Sequence, residues 1–187
     1  IAGPHLRPEA RLVQLGFPMT RDKEVLRHAW SENAARVAEV LRKGQNAAFL
    51  TLGDPMIYST FGYLMEELAE VAPQAPIHVV PGVTSFQAAA ASTRTVLVEA
   101  GESLVLTSGQ ADEERFGRLC SLAENAVVLK AYKNYQQIKD MLRQCGSMAR
   151  TLFCTRLGME GERVFEDLDD VQGTPHYFSL VLVKRGK

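Results

Sequence analysis

The chain has 187 residues and a formal net charge of −1, with 46% hydrophobic and 23% charged residues. That length holds one α/β domain or two small ones, and the ordinary globular composition excludes disordered, fibrous and low-complexity chains. Balanced charge, 21 Lys and Arg against 22 Asp and Glu, argues against a nucleic-acid backbone as partner. Apolar runs such as Ala47–Leu52 and Leu180–Val183 fall far short of the ~20 residues that cross a bilayer, so no membrane partner is expected.

In chain order, Arg11–Gly16 reads as a short β segment. From Glu24 apolar positions then recur with helical spacing at Leu26, Ala29 or Trp30, Asn33 or Ala34, Val37 and Leu41. This helix stops at Arg42-Lys43-Gly44, a basic last turn followed by the residue best suited to a left-handed cap. Ala47–Leu52 is apolar without alternation, the pattern of a strand covered on both faces. A helix follows to about Val71, capped by Ser59 or Thr60, with Leu64 and Leu68 inward. Ile77–Val80 reads as the next buried strand, and Pro81-Gly82 turns into a helix capped by Thr84 or Ser85.

The hydrophobic period breaks over Thr93–Ser103, the candidate linker between an N-terminal domain 1–98 and a C-terminal domain 99–187. Strand Leu104–Thr107, helix Asp112–Ala123, strand Ala126–Lys130, helix Asn134–Cys145 and strand Thr151–Thr155 then alternate, which predicts a largely parallel sheet. Two strands, Glu162–Glu166 and Phe178–Val183, flank the acidic turn region Asp167–Thr174 and predict an antiparallel finish.

Ligands of open α/β sheets bind beyond the carboxyl ends of the strands, so the residues after each apolar run are the candidates for chemistry. Gly53-Asp54-Pro55 combines close backbone approach, a carboxylate acceptor and a fixed turn, and equally describes an Asx turn leading into a helix. The hydroxyls of Thr84 and Ser85, after Pro81-Gly82-Val83, suit either a ligand or a helix cap. Arg156-Leu157-Gly158-Met159 follows the fifth apolar run and can be a bare turn. Tyr58 and Tyr132 sit beside such ends, where a Tyr also packs with its hydroxyl in water. The basic group Arg21, Lys23 and Arg27 opens a helix, where cations gain nothing from the dipole; an acidic ligand or a solvated face accounts for it.

Dinucleotide, nucleoside-triphosphate and nucleophile-elbow motifs are absent from the sequence. His5, His28, His78 and His176 are scattered, and no metal is expected. Cys120, Cys145 and Cys154 form neither a disulfide framework nor a zinc pattern, which suggests reducing cytoplasm. The chain starts at Ile1 without a signal-peptide core and reads as part of a longer one.

Taken together, Thr51–Leu64 (TLGDPMIYSTFGYL) and Val79–Phe86 (VVPGVTSF) resemble the tetrapyrrole methylases, a family of S-adenosylmethionine-dependent methyltransferases. Phe17–Asp22, the Tyr-Ser-Thr-Phe-Gly of residues 58–62, Gly161–Val164 and Tyr177–Val183 are similar to members that methylate C20 of precorrin-2 or cobalt-factor II in cobalamin biosynthesis. The resemblance implies two small α/β domains with a ligand cleft between them, S-adenosyl-L-methionine as cofactor, an acidic tetrapyrrole as substrate, and a homodimer. It assigns cofactor binding to Leu52, Gly53, Asp54, Ile57, Thr84 and Ser85, with Ala131 and Gly158 placed by strand order. For the substrate's carboxylates it gives Arg21, Lys23, Lys133 and Arg156 a role as partners, beside the cleft candidates Tyr58 and Tyr132, and it names no catalytic side chain. The family's N-terminal strand and Gly-rich loop have no counterpart here. The alternatives are another methylase of this fold, acting on a different corrin carbon, on uroporphyrinogen, on rRNA or on a translation factor; a non-catalytic tetrapyrrole- or cofactor-binding fragment; or a plain α/β binding domain.

Overall fold

A computed structural model describes residues 2–110, 112–146 and 150–184, apart from the side chains of 113, 120 and 121. The backbone divides into two compact units, Ile1–Val83 and Thr84–Lys187.

In the first unit, α1 (Lys23–Arg42) starts where the Asp22 carboxylate accepts the N–H groups of Glu24 and Val25, at 2.9 and 3.3 Å. Two otherwise orphaned donors are thereby satisfied. The helix ends as its basic last turn predicts, with Gly44 at φ +69° and its N–H on the Leu41 carbonyl. Ala34 and Ala38, both fully buried, give α1 a small-residue face, onto which Phe61, Leu64 and Leu68 of α2 (Phe61–Val71) pack. Trp30 of α1 stacks on Tyr63 of α2, rings 4.1 Å apart and nearly parallel. Asn33 is buried in the α1 face, and its Nδ2 donates to the Gly16 carbonyl at 2.7 Å.

Three expected strands of this unit are not formed. Arg11–Gly16, Ala47–Leu52 and Ile77–Val80 belong to no ladder, and instead of being covered on both faces they leave Leu12, Leu50, Leu52 and Val80 exposed. A strand needs a hydrogen-bonding neighbour as well as apolar residues. Among the described residues of this unit no two segments pair, and the first segment is held by side chains of α1, Asn33 on Gly16 and Arg36 on Gln14.

The second unit opens with α3 (Ser85–Thr93), whose capping box joins the Thr84 hydroxyl to the Gln87 N–H and the Gln87 side chain to the Thr84 N–H. Among the described residues five strands follow: β1 (Leu104–Ser108), β2 (Asn125–Leu129), β3 (Thr151–Thr155), β4 (Arg163–Phe165) and β5 (Ser179–Lys184). They are ordered β1-β2-β5-β3-β4. Only β1 and β2 pair in parallel; the other three pairings are antiparallel, so the expected largely parallel sheet is a mixed one. The cause is β5, which returns antiparallel and enters the sheet between β2 and β3.

Both faces of this sheet are covered. Ala126, Val128, Phe153, Val181 and Val183 face α4 (Glu113–Leu122) and α5 (Tyr135–Gln144), while Val127, Leu129, Cys154, Leu180 and Leu182 face α3. Alternate residues of one strand thus serve opposite cores. The irregular stretch after α3 is anchored to the sheet by Lys184, whose ammonium donates to Val96 O at 2.8 Å and to Glu102 Oε2 at 3.2 Å. Asn125 Nδ2 donates to the same Glu102 carboxylate, and that bond is the main reason its pKa lies below the ordinary value.

Candidate functional site

In the first unit the structure brings together the loops at Gly53 and Gly82. Asp54 Oδ1 accepts the Met56 N–H at 2.8 Å and Oδ2 accepts the Gly82 N–H at 3.0 Å, so both carboxylate oxygens serve the loops themselves. Gly53 is at φ +77°. A Cβ on Gly82 would lie 2.3 Å from the Gly53 carbonyl oxygen, which is why the two loops require glycine at their crossing. Leu52 and Ile57 flank this crossing with exposed apolar side chains, and Tyr58, also exposed, is held at φ +51°. Arg21 is solvent-exposed next to the α1 cap. Residues 16–18 and the Ala29–Arg36 face of α1 line an open groove of about 550 Å³ that none of the expected site residues borders.

In the second unit, Thr84 is buried in its capping box and Ser85 is exposed at the first turn of α3. Ala131 follows β2 and is fully buried, with its N–H on the Ser179 carbonyl; its side chain is part of the core beneath the sheet end. Tyr132 and Lys133 line a cavity of about 360 Å³ with Gln136, Lys139 and Thr174, and the Lys133 ammonium stands 5.7 Å from the Tyr132 ring centre. Lys139 is engaged by Asp169 at 2.8 Å.

The carboxyl end of β3 holds two of the three buried, unpartnered side-chain polar atoms among the described residues, the third being Asn125 Oδ1. Thr155 Oγ1 and Arg156 Nε are buried without a hydrogen-bond partner among the described residues. Such groups cost free energy unless something meets them. Arg156 is held at φ +55° by its N–H on Phe178 O, and Gly158, at φ +69°, gives its N–H to Glu162 Oε2 at 2.7 Å. Cys154, buried in the sheet, has its thiol pKa pushed up to about 11 by burial and then by the charge of Glu162. Cys154 is a free thiol, and Cys120's side chain lies outside the described residues. Among the described residues no group of three or more His, Cys, Asp or Glu could hold a metal ion, and no helix is long and apolar enough to cross a membrane.

Sequence reasoning passed over three residues. Thr155 gave no signal beyond its position at a strand end, and Glu162 stood within the Gly161–Val164 stretch of the resemblance without a role of its own. Asn33 stood at an apolar position of the α1 period, and a polar residue there was the available clue.

A family model for the tetrapyrrole (corrin/porphyrin) methylases matches residues 1–172. The chain belongs to this family. It is 31% identical over 171 residues to a cobalt-precorrin-2 C(20)-methyltransferase of Salmonella typhimurium, covering 90% of the chain and 71% of that protein. Similarity at 29% identity extends over the whole chain to the cobalamin biosynthesis protein CobIJ of Mycobacterium tuberculosis, of which it spans 38%. Among solved structures the methyltransferase CobJ shares the fold, with a TM-score of 0.69 at 18% identity over 83% of this chain and 71% of that one.

Tetrapyrrole methylases use S-adenosylmethionine, and the residues of this methylase fit that group. The crossing of Gly53 and Gly82 packs backbone on backbone at an exposed position, and Leu52 and Ile57 offer apolar surface next to it. In the other unit, the orphaned Thr155 hydroxyl and Arg156 Nε–H supply buried hydrogen-bonding capacity at a strand end.

Proposed function

We propose that this chain is an S-adenosylmethionine-dependent C-methyltransferase that methylates C20 of precorrin-2 or cobalt-factor II in cobalamin biosynthesis. The kinship with the Salmonella enzyme across nine-tenths of the chain carries this reading. The loop cradle at Gly53, Asp54 and Gly82 supports it.

Leu52, Gly53, Asp54, Ile57, Thr84, Ser85, Ala131 and Gly158 would hold the cofactor. Asp54 serves by fixing the loop, since both its oxygens already accept N–H groups. Ala131 would contribute through its backbone, its side chain being buried. When bound, the sulfonium supplies an activated methyl group for displacement by an electron-rich ring carbon. Such a transfer needs the two carbons close and aligned, an effect worth up to ~7–11 kcal/mol. The substrate carries several carboxylates, for which Arg21, Lys133 and Arg156 are the cationic partners and Tyr58 and Tyr132 the flanking rings. The orphaned Arg156 Nε–H is the strongest of these features. The reading includes a cytoplasmic homodimer with an acidic tetrapyrrole, not nucleic acid, as its partner.

Calorimetric titration with S-adenosylhomocysteine, wild type against Gly53→Val, tests the cofactor site, with Trp30 fluorescence reporting that the variant is folded. Micromolar binding lost in the folded variant is the expected result; no binding by folded wild-type chain overturns the reading. Transfer of a labelled methyl group to precorrin-2 and to cobalt-factor II then tests turnover. Binding without transfer to either would favour the non-catalytic alternative.

A further inference from the structure

The turn from β3 to β4 runs from Arg156 to Glu162 and holds three residues at positive φ: Arg156, Gly158 and Gly161. Its backbone closes with Met159 N–H on Arg156 O at 2.9 Å and Glu162 N–H on Met159 O at 3.1 Å. An Arg in the left-handed region is strained, so the turn persists only if its surroundings fix it.

Glu162 provides that fixation. Its Oε2 accepts the Gly158 N–H at 2.7 Å and its Oε1 accepts the Ser92 hydroxyl at 3.3 Å. Ser92 lies in the last turn of α3, the helix that begins at Ser85. One carboxylate therefore joins the turn bearing Gly158 and Arg156 to the helix bearing Ser85, with the unpartnered Thr155 Oγ1 and Arg156 Nε beside the junction. The bond to Gly158 is charge-assisted and short, the stronger class of hydrogen bond. The bond to Ser92 is longer and the weaker of the two.

We propose that Glu162 is a positioning residue for the cofactor site: it preorganises the Arg156–Gly161 turn against α3 without touching the cofactor itself. This rests on the reading of Ser85 and Gly158 as cofactor-binding residues. A preorganised turn binds without first being ordered, so loosening it weakens affinity even though no direct contact is removed.

The test is calorimetric binding of S-adenosylhomocysteine to the full chain as wild type, Glu162→Ala, Glu162→Gln and Ser92→Ala, with denaturant unfolding of each. Loss of a charge-assisted bond predicts about tenfold weaker binding for Glu162→Ala. Glu162→Gln keeps one acceptor for Gly158 and is expected to recover most of that loss, and Ser92→Ala to lose about threefold or less. Wild-type affinity in Glu162→Ala overturns the role while leaving the site reading intact. So does an affinity loss, equal in Ala and Gln variants, that merely tracks a fall in unfolding midpoint. No binding by folded wild-type chain overturns the site reading and this role with it.

Discussion

The crossing of the Gly53 and Gly82 loops makes Gly82→Ala a sharp test of the first unit. The added Cβ would stand 2.3 Å from the Gly53 carbonyl oxygen and 3.0 Å from its carbon, and both are backbone atoms that cannot swing aside as a side-chain tip can. Restoring an ordinary contact of about 3.4 Å requires the loops to part by roughly 1 Å. That movement takes the Gly82 N–H, now 3.0 Å from Asp54 Oδ2, beyond hydrogen-bonding range. A hydrogen bond to a charged group is worth about 1.5–3 kcal/mol, the lower end applying here because the pair is solvent-exposed. Overpacking costs about 1–3 kcal/mol, and the parting of the loops relieves part of it. A net loss of about 2–3 kcal/mol is therefore expected, together with weaker S-adenosylhomocysteine binding. Trp30, the only tryptophan of the chain, lies in this unit and reports its unfolding in guanidinium. Gly62→Ala is the control, because nothing stands within 4 Å of its added Cβ and its helical position favours Ala by up to ~1 kcal/mol. A Gly82→Ala midpoint equal to that of wild type, with unchanged ligand affinity, would refute the crossing as drawn.

Thr84→Ala removes one half of the α3 capping box and should cost about 0.5–2 kcal/mol, read by denaturant unfolding; a loss below that range would mean the cap contributes nothing. Glu102 has its pKa lowered chiefly by the Asn125 hydrogen bond and then by Lys184, so its stabilisation is present above its ordinary value near 4.5 and is lost as pH falls through the depressed one. The stability difference between wild type and Glu102→Gln should accordingly persist at pH 7 and shrink below about pH 4.5, and a pH-independent difference would contradict the assignment. Cys154, with its thiol pushed up to about 11 and buried, should resist alkylation at pH 8 in the native chain and react once the chain is unfolded, as peptide mapping of the labelled protein will show.

Helices were legible because their signals are local. Thr84 and the Arg42-Lys43-Gly44 stop each act within one turn of the residues that announce them, whereas the Asp22 cap of α1 emerged only from the structure. Strands of the second unit were legible as segments but not as a sheet: nothing within Ser179–Lys184 says that it enters between β2 and β3, since strand order is decided by pairing across distant sequence. Ala47–Leu52 shows the opposite failure. Its apolar run has the composition of a buried strand, yet no described segment of its unit pairs with it, and Leu50 and Leu52 stay exposed. At the candidate site the glycines and Asp54 could be picked from their turn chemistry. The carboxylate bridge of Glu162 could not, because it joins residues 70 apart.

The position of β5 sets the order in which the second unit can assemble. Its residues pair with β2 on one side and β3 on the other, so that without it β1–β2 and β3–β4 are two separate two-stranded pieces. Two-stranded pieces are marginal in water. A ribosome that has delivered everything up to Pro175 has therefore made four strands and no stable sheet, with the apolar edges of β2 and β3 open to other chains. Closure must wait for the 179–184 segment, over loops that span from Asn125 to Lys184, which places this unit among slowly folding topologies. Truncation before Ser179 would thus yield an aggregating chain, whereas an equal deletion confined to the β4 edge would leave four strands joined.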